Sequence, residues 1–253
     1  MKFFFFIAAS VLLFVEGAMA QTTNTLSDAE LQGRSLAQQL CDGQPAEDFS
    51  QTAALKIKRA KAGEISLPIS YKGIVSPMNW SAVYTLNQPT NETSLAITTN
   101  VTVLEVSHFH NQPSKYVLND GTGISYELKA NEAYIPFGGS DFWIADLGLE
   151  FFHWPAQKIL PKPTNLKRGR EYTLLESTNP NPSPNGYSRV VTWIDKETGG
   201  ILEAEAYDVN GKLLKEFSPK SFKKVNGQWQ LQEMKISNVQ TRSSTMLEFD
   251  LNK

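Results

Sequence analysis

Cysteine occurs once in the 253 residues and histidine three times. A lone thiol makes no intramolecular disulfide, so the core must hold the fold. Cys41 sits at the expected end of a helix and reads as a packed thiol, since a nucleophile needs a positioned base. The formal net charge is −2 and no basic stripe runs along the chain, so nothing points to nucleic acid as a partner. HExxH, paired Cys ligands, a G-x-S-x-G elbow and a full nucleotide-binding glycine fingerprint are all missing. The apolar run from Phe3 to Val15 falls short of the roughly 20 residues of a membrane span. With Lys2 before it and Ala18-Met19-Ala20 after it, it reads as a signal peptide over 1–20, cut after Ala20. The expected location is therefore outside the cytoplasm, with residues 21–253 as one domain.

What is present is mostly strand. One helix is predicted: Ser27-Asp28-Ala29-Glu30 is a capping-box pattern, Ala29, Leu36 and Leu40 fall near one face, and Asp42-Gly43 marks the stop. Period two then takes over. Ile65, Leu67, Ile69 and Tyr71 alternate with polar residues, as do Trp80, Ala82, Tyr84 and Leu86. Leu95, Ile97, Val101 and Val103 extend the pattern. Pro68 suggests an edge strand or a bulge. Asp195 to Gly200, Asn210-Gly211 and Asn226-Gly227 are hairpin turns, Asn and Gly both tolerating positive φ. Thr245, Leu247, Phe249 and Leu251 form the inward face of the last strand. Successive hairpins require antiparallel pairing, and so many strands must curl. The fold class is mainly β with a few helices: one curved antiparallel sheet, or half-open barrel, with helices over its concave side.

Three features hint at function. Leu202, Ala204 and Ala206 share one parity, opposite Glu203 and Glu205, and two alanines on an inward face leave either a hollow or room for a helix. The stretch "FGGSDFWIADLGLEFFHWP", 137–155, concentrates six aromatics in turn-rich sequence. Ser140 would cap a short helix over 141–147 that Gly148 ends. Phe142, Trp143, Leu147, Phe151, Phe152 and Trp154 then either plug the core permanently or form a movable lid over an apolar cavity. A lid predicts that Trp143→Ala and Phe152→Ala weaken lipid binding more than stability; a plug predicts loss of folding. His108 and His110, i and i+2 on a strand, share a face if the strand continues, which with His153 would suit a zinc-dependent hydrolase.

The segments "PAEDFSQTAALKI" (45–57), "GSDFWIADL" (139–147), "FFHWP" (151–155), "VVTWIDKETGGILEAEAYDVNGKLLKEF" (190–217) and "RSSTMLEFDL" (242–251) together resemble the outer-membrane lipoprotein-sorting protein family of Gram-negative bacteria. This is the LolA/LolB-like superfamily, here in its uncharacterised branch. The resemblance implies a half-open barrel stoppered by short helices, a non-enzymatic carrier without cofactor, and lipid or lipoprotein acyl chains as cargo. Envelope membrane proteins would act as donor or acceptor. It implies a lipid-binding and lid set of Phe142, Trp143, Leu147, Phe151, Phe152, Trp154, Ala204, Ala206, Leu247 and Phe249, and a lid-locking arginine, for which Arg189 is the candidate. A non-catalytic module docking a periplasmic protein through its aromatics is the remaining alternative.

Overall fold

The computed structural model describes residues 26–87, 101–161, 166–225 and 227–251. The signal segment, Leu95, Ile97 and Asn226 lie outside the described residues. Helix α1 (Asp28–Cys41) starts on the expected capping box, with Ser27 and Glu30 bonded to each other's backbone. It ends without help from Gly43: the Asp42 N–H donates to the Gln38 carbonyl, and the Gln38 amide donates to the Asp42 carboxylate at 2.7 Å. The buried face is centred on Gly33 and Ala37, with Leu36 and Leu40 packed beside it. Both central residues are small because the helix lies directly on backbone. A Cβ at Gly33 would stand 2.6 Å from the Lys158 nitrogen.

Thirteen strands form one antiparallel sheet: β1 (Phe49–Arg59), β2 (Gly63–Val75), β3 (Asn79–Asn87), β4 (Val101–Phe109), β5 (Gln112–Asn119), β6 (Ser125–Leu128), β7 (Ala156–Leu160), β8 (Tyr172–Thr178), β9 (Arg189–Asp195), β10 (Ile201–Tyr207), β11 (Leu213–Val225), β12 (Gln228–Asn238) and β13 (Ser243–Phe249). Their order is 6-5-4-3-2-1-13-12-11-10-9-8-7. Each half is a run of hairpins, and β1 pairs with β13 at the centre, Leu55 opposite Leu247. The sheet stays open, with β6 and β7 as its edges. This order forces the route of the intervening chain. It leaves one edge at Leu128 and must reach the other at Ala156, so residues 129–155 cross the open side.

The alternation holds for Ala82, Tyr84 and Leu86 on β3 and for Thr245, Leu247, Phe249 and Leu251 at the C-terminal end, all buried. Four details differ from the sequence reading. Ile65 is exposed near the start of β2. Pro68 lies within a central strand, opposite Ala54 of β1 and just outside the β2–β3 register that starts at Ile69. On β4 the inward residues are Leu104 and Val106 rather than Val101 and Val103. A bulge between Ile201 and Glu203 switches parity on β10. Ile201 therefore packs with the main core beside Ala204, and Leu202 joins a small cluster with Tyr172, Leu174 and Val191. In the β10–β11 turn only Gly211 has positive φ. Asp208 builds this turn by accepting the N–H groups of Asn210 and Lys212.

Gly33→Ala replaces a poor helix former by a better one, a gain of about 1 kcal/mol by propensity alone. The clash with unyielding backbone should outweigh it and destabilise the fold by about 1–3 kcal/mol, measured by denaturant unfolding. Gly43→Ala, with no contact under 3.4 Å, is the control and should stay within about 0.5 kcal/mol of wild type.

Candidate functional site: a plugged concave face

The crossing segment folds as short pieces rather than one helix. Three-residue 3₁₀ turns at Ala130–Glu132 and Phe137–Gly139 are followed by α2 (Ile144–Leu147) and a 3₁₀ turn at Glu150–His153. Ser140 does not cap the helix. Its hydroxyl accepts the Phe142 N–H, while the Asp146 carboxylate reaches back to the Trp143 N–H at 2.8 Å. Phe137, Phe142, Ile144, Phe151, Phe152 and Trp154 are all buried in the main core. Leu149 links α2 to the last turn in left-handed backbone, φ 50°, a conformation that costs a β-carbon residue about 1–2 kcal/mol. Beside it Gly148 is pressed on Tyr116, whose hydroxyl would lie 2.3 Å from a Cβ there.

Polar anchors tie this plug to both halves of the sheet. On β13, Ser243 and Thr245 donate their hydroxyls to the Asp141 carboxylate at 2.5 and 2.9 Å. On β11, Lys215 is 2 % exposed. Its ammonium donates to the Asp141 carbonyl at 2.7 Å and to the Asp146 carboxylate at 3.2 Å, and lies 3.3 Å from the centroid of the Trp143 ring. Tyr187, stacked on Trp143, donates its hydroxyl to the other Asp146 oxygen at 2.8 Å. Burial pulls the Lys215 amine down to about 8, with Asp146 pulling it back up. On β5, the Tyr116 hydroxyl donates to the buried Glu150 carboxylate at 2.8 Å. Burial pushes the Glu150 carboxyl up to about 7 against that hydrogen bond. On β7, the Gln157 amide donates to the carbonyls of Phe151, Phe152 and Trp154, and its oxygen accepts the Ser177 hydroxyl.

The cation that clamps the plug is therefore Lys215, not Arg189. Arg189 pairs with Glu176 at 3.1 Å and covers the Tyr207 ring, away from the plug. A sequence signal for Lys215 existed: in "LLKEF" it shares strand parity with Leu213 and Phe217. Burial also pushes the Cys41 thiol up to about 12, which disfavours the nucleophilic thiolate.

Two apolar spaces remain beside the plug. The larger is an apolar groove of about 390 Å³ between Tyr71, Trp80 and Tyr84 on one wall and Phe217, Pro219, Phe222, Leu231 and Met234 on the other. The plug borders it with Phe142, Leu147 and Leu149. The smaller is a void of about 40 Å³ under Leu149 and Phe151, against Val190, Ala204, Ala206 and Ile236; it has room for no more than a few waters. Asp146, Leu149 and Phe217 border both spaces. Trp143 borders neither, facing instead a polar cleft with Arg59, Asp141 and Ser243. Phe152, Trp154, Leu247 and Phe249 also border neither space and pack in the core.

The histidines separate. β4 ends at Phe109, and Asn111 turns the chain with φ 55°, so His108 and His110 do not share a strand face. His110 pairs with Asp42 at 2.9 Å. His108 stacks on Trp80, and the Ser114 hydroxyl lies between its Nδ1 and the Nε2 of His153, at 3.2 and 3.3 Å. Among the described residues no group of three or more His, Cys, Asp or Glu could hold a metal.

Glu150 gives a pH test. Below pH about 4.5 its proton is bound in both folded and unfolded chains. Between there and about 7 the folded chain keeps a proton the unfolded chain loses, so this contribution to stability falls as pH rises. Glu150→Gln should remove that fall: the stability of wild type minus that of the variant should decrease from pH 4.5 to 7 in urea titrations. Phe152→Ala should lower stability by about 3–5 kcal/mol, as for a fully packed ring, with thermal unfolding as the check.

Among curated proteins no relative matches. The chain is similar to three solved structures. A domain assigned to outer-membrane lipoprotein sorting from Vibrio parahaemolyticus superposes with a TM-score of 0.69 at 21% identity, covering 87% of this chain and 91% of that one. A DUF1329 family protein from Desulfovibrio piger gives 0.68 at 18% identity, covering 88% and 92%. A LolA superfamily protein from Nitrosomonas europaea gives 0.58 at 14% identity, covering 88% and 92%. They share the open curved sheet with this chain. A family model described as an uncharacterized protein matches residues 100–252. This match spans more than half of the sequence, and the chain belongs to that family, with a LolA-like fold.

Proposed function

We propose that the protein is an exported, non-enzymatic carrier that shelters the hydrocarbon chains of lipids or lipoproteins in the groove beside its plug. The groove carries the reading. Its volume of about 390 Å³ lies within the roughly 300–1,000 Å³ usual for ligand sites, and its walls are mainly aromatic and aliphatic. An alkyl chain needs no polar anchor there. Roughly ten buried methylenes at about 0.8 kcal/mol each correspond to about micromolar affinity before the costs of association. The solved neighbour named for lipoprotein sorting supports the same reading.

In this account residues 1–20 direct export and are cut after Ala20, residues 21–253 work in the periplasm or outside the cell, and envelope membrane proteins deliver or accept the cargo. No cofactor takes part. Phe142 and Leu147 meet the chain directly, together with Leu149. Phe151, Ala204 and Ala206 line the inner void that a chain reaches when Leu149 moves. Trp143 acts through the Lys215 clamp, and Phe152, Trp154, Leu247 and Phe249 support the floor. The separation of His108 from His110 leaves the zinc-dependent hydrolase without the shared strand face it relied on.

Protein purified from the periplasm should carry extractable lipid in native mass spectrometry and take up a fluorescent fatty acid. Met234→Trp, which fills the groove, should weaken uptake at least about tenfold, the effect of roughly two excluded methylenes, with little change in melting temperature. Lipid-free protein with no uptake would contradict the proposal.

A further inference from the structure

The hairpin of β11 and β12 is longer than its neighbours. The β12–β13 register covers Glu233 to Asn238, while β12 pairs with β11 out to Gln228, so the tip projects past the end of that ladder. Two bulges, at Pro219–Ser221 and Ser221–Phe222, bend the ribbon and restore its parity. The result is an apolar stripe running outward from the core. It begins at Ile236, 2 % exposed, and passes Met234 and Leu231 on the groove wall. Phe222, directly opposite Leu231, is 53 % exposed, and Trp229, one same-face pair further out, is 71 % exposed. Nothing in a monomer's stability calls for a Trp and a Phe held in water at the end of such a stripe.

Charge identifies what covers it. Residues 218–231 contain three lysines and no acidic residue, in a chain whose net charge is −2. Lys224 stands directly opposite Trp229, and Lys220 is the bulged residue between Pro219 and Ser221. The β2–β3 turn lies at the same end of the sheet by register, and there Met78 is 85 % exposed. Trp among lysines at an apolar edge is the composition that settles at a lipid headgroup boundary, the indole at the interface and the ammonium groups on anionic phosphates.

We propose that this hairpin tip docks the protein on an anionic lipid bilayer, with Trp229 and Phe222 inserted at the headgroup level. Docked this way, the groove mouth faces the membrane, and Leu231 and Met234 on the groove wall receive the hydrocarbon chain from the bilayer. The purpose of the docking rests on the carrier reading, but its test does not.

Cosedimentation of the full chain with phosphatidylglycerol vesicles should show binding that weakens with salt and exceeds binding to phosphatidylcholine vesicles. Lys220→Glu combined with Lys224→Glu, and separately Trp229→Ser, should each weaken it at least about tenfold. Uptake of a fluorescent fatty acid from solution, measured on the same variants, should stay at the wild-type level, because neither change touches the groove wall. Absence of vesicle binding, equal binding to both lipids, or binding unchanged in the variants would overturn the docking surface. So would a dimer in sedimentation that Trp229→Ser dissolves, since a second copy would then cover the tip. Failure of fatty-acid uptake in the wild type contradicts the carrier reading alone.

Discussion

An open sheet with one apolar face cannot be left bare in water, and strand order decides what covers this one. The chain finishes its first meander at one edge and starts its second at the other. The connection between them has to span the concave side. Every property of residues 129–155 follows from that requirement: dense aromatics, short turns in place of a helix, glycines where backbone meets side chain, and polar anchors at several points. The apolar area buried is large, yet burial is non-directional. Position is set by the anchors, above all by Lys215 between Asp141, Asp146 and the ring of Trp143.

Those anchors also explain how a packed plug leaves room for function. A buried ion pair offers little net stability compared with apolar residues of the same shape, because desolvation offsets the attraction. Lys215 and Glu150 both sit at the plug, and burial works against the charged form of each. Leu149, in left-handed backbone, stands between groove and void. The interface between plug and sheet is thus built from groups under opposing demands, unlike the apolar contacts of Leu55, Ile57, Leu86 and Leu247 on β1, β3 and β13.

Much of this was legible beforehand. The capping box at Ser27, the alternation on β3 and β13 and the run of hairpins each depend on local chemistry, and they came out as read. The curved sheet with a covered concave side followed from them. What escaped depends on a second segment meeting the first. Gly33 and Ala37 are small because of β7, which their own sequence does not mention. The bulge on β10 separates Leu202 from Ala204 although strict alternation joins them. Val101 and Val103 continue the period-two run of Leu95 and Ile97, whereas β4 buries Leu104 and Val106. The His108–Phe109–His110 pair failed at a strand end that period-two reasoning cannot locate. For the plug, composition identified the segment but not its fastening: Lys215, Gln157 and Tyr116 come from three other strands. Sequence also left the choice between plug and lid open, because both bury the same aromatics and differ only in what lies beside them.

The account stands on hydrocarbon occupying the space between the plug and the β11–β12 wall. A crystal structure of the protein loaded with a long-chain fatty acid tests this directly. Continuous alkyl density between Tyr71, Trp80, Phe217 and Met234, reaching Leu149, is the predicted result. A chain held only on the outer face of the sheet, or a groove filled by the protein's own side chains, would contradict it.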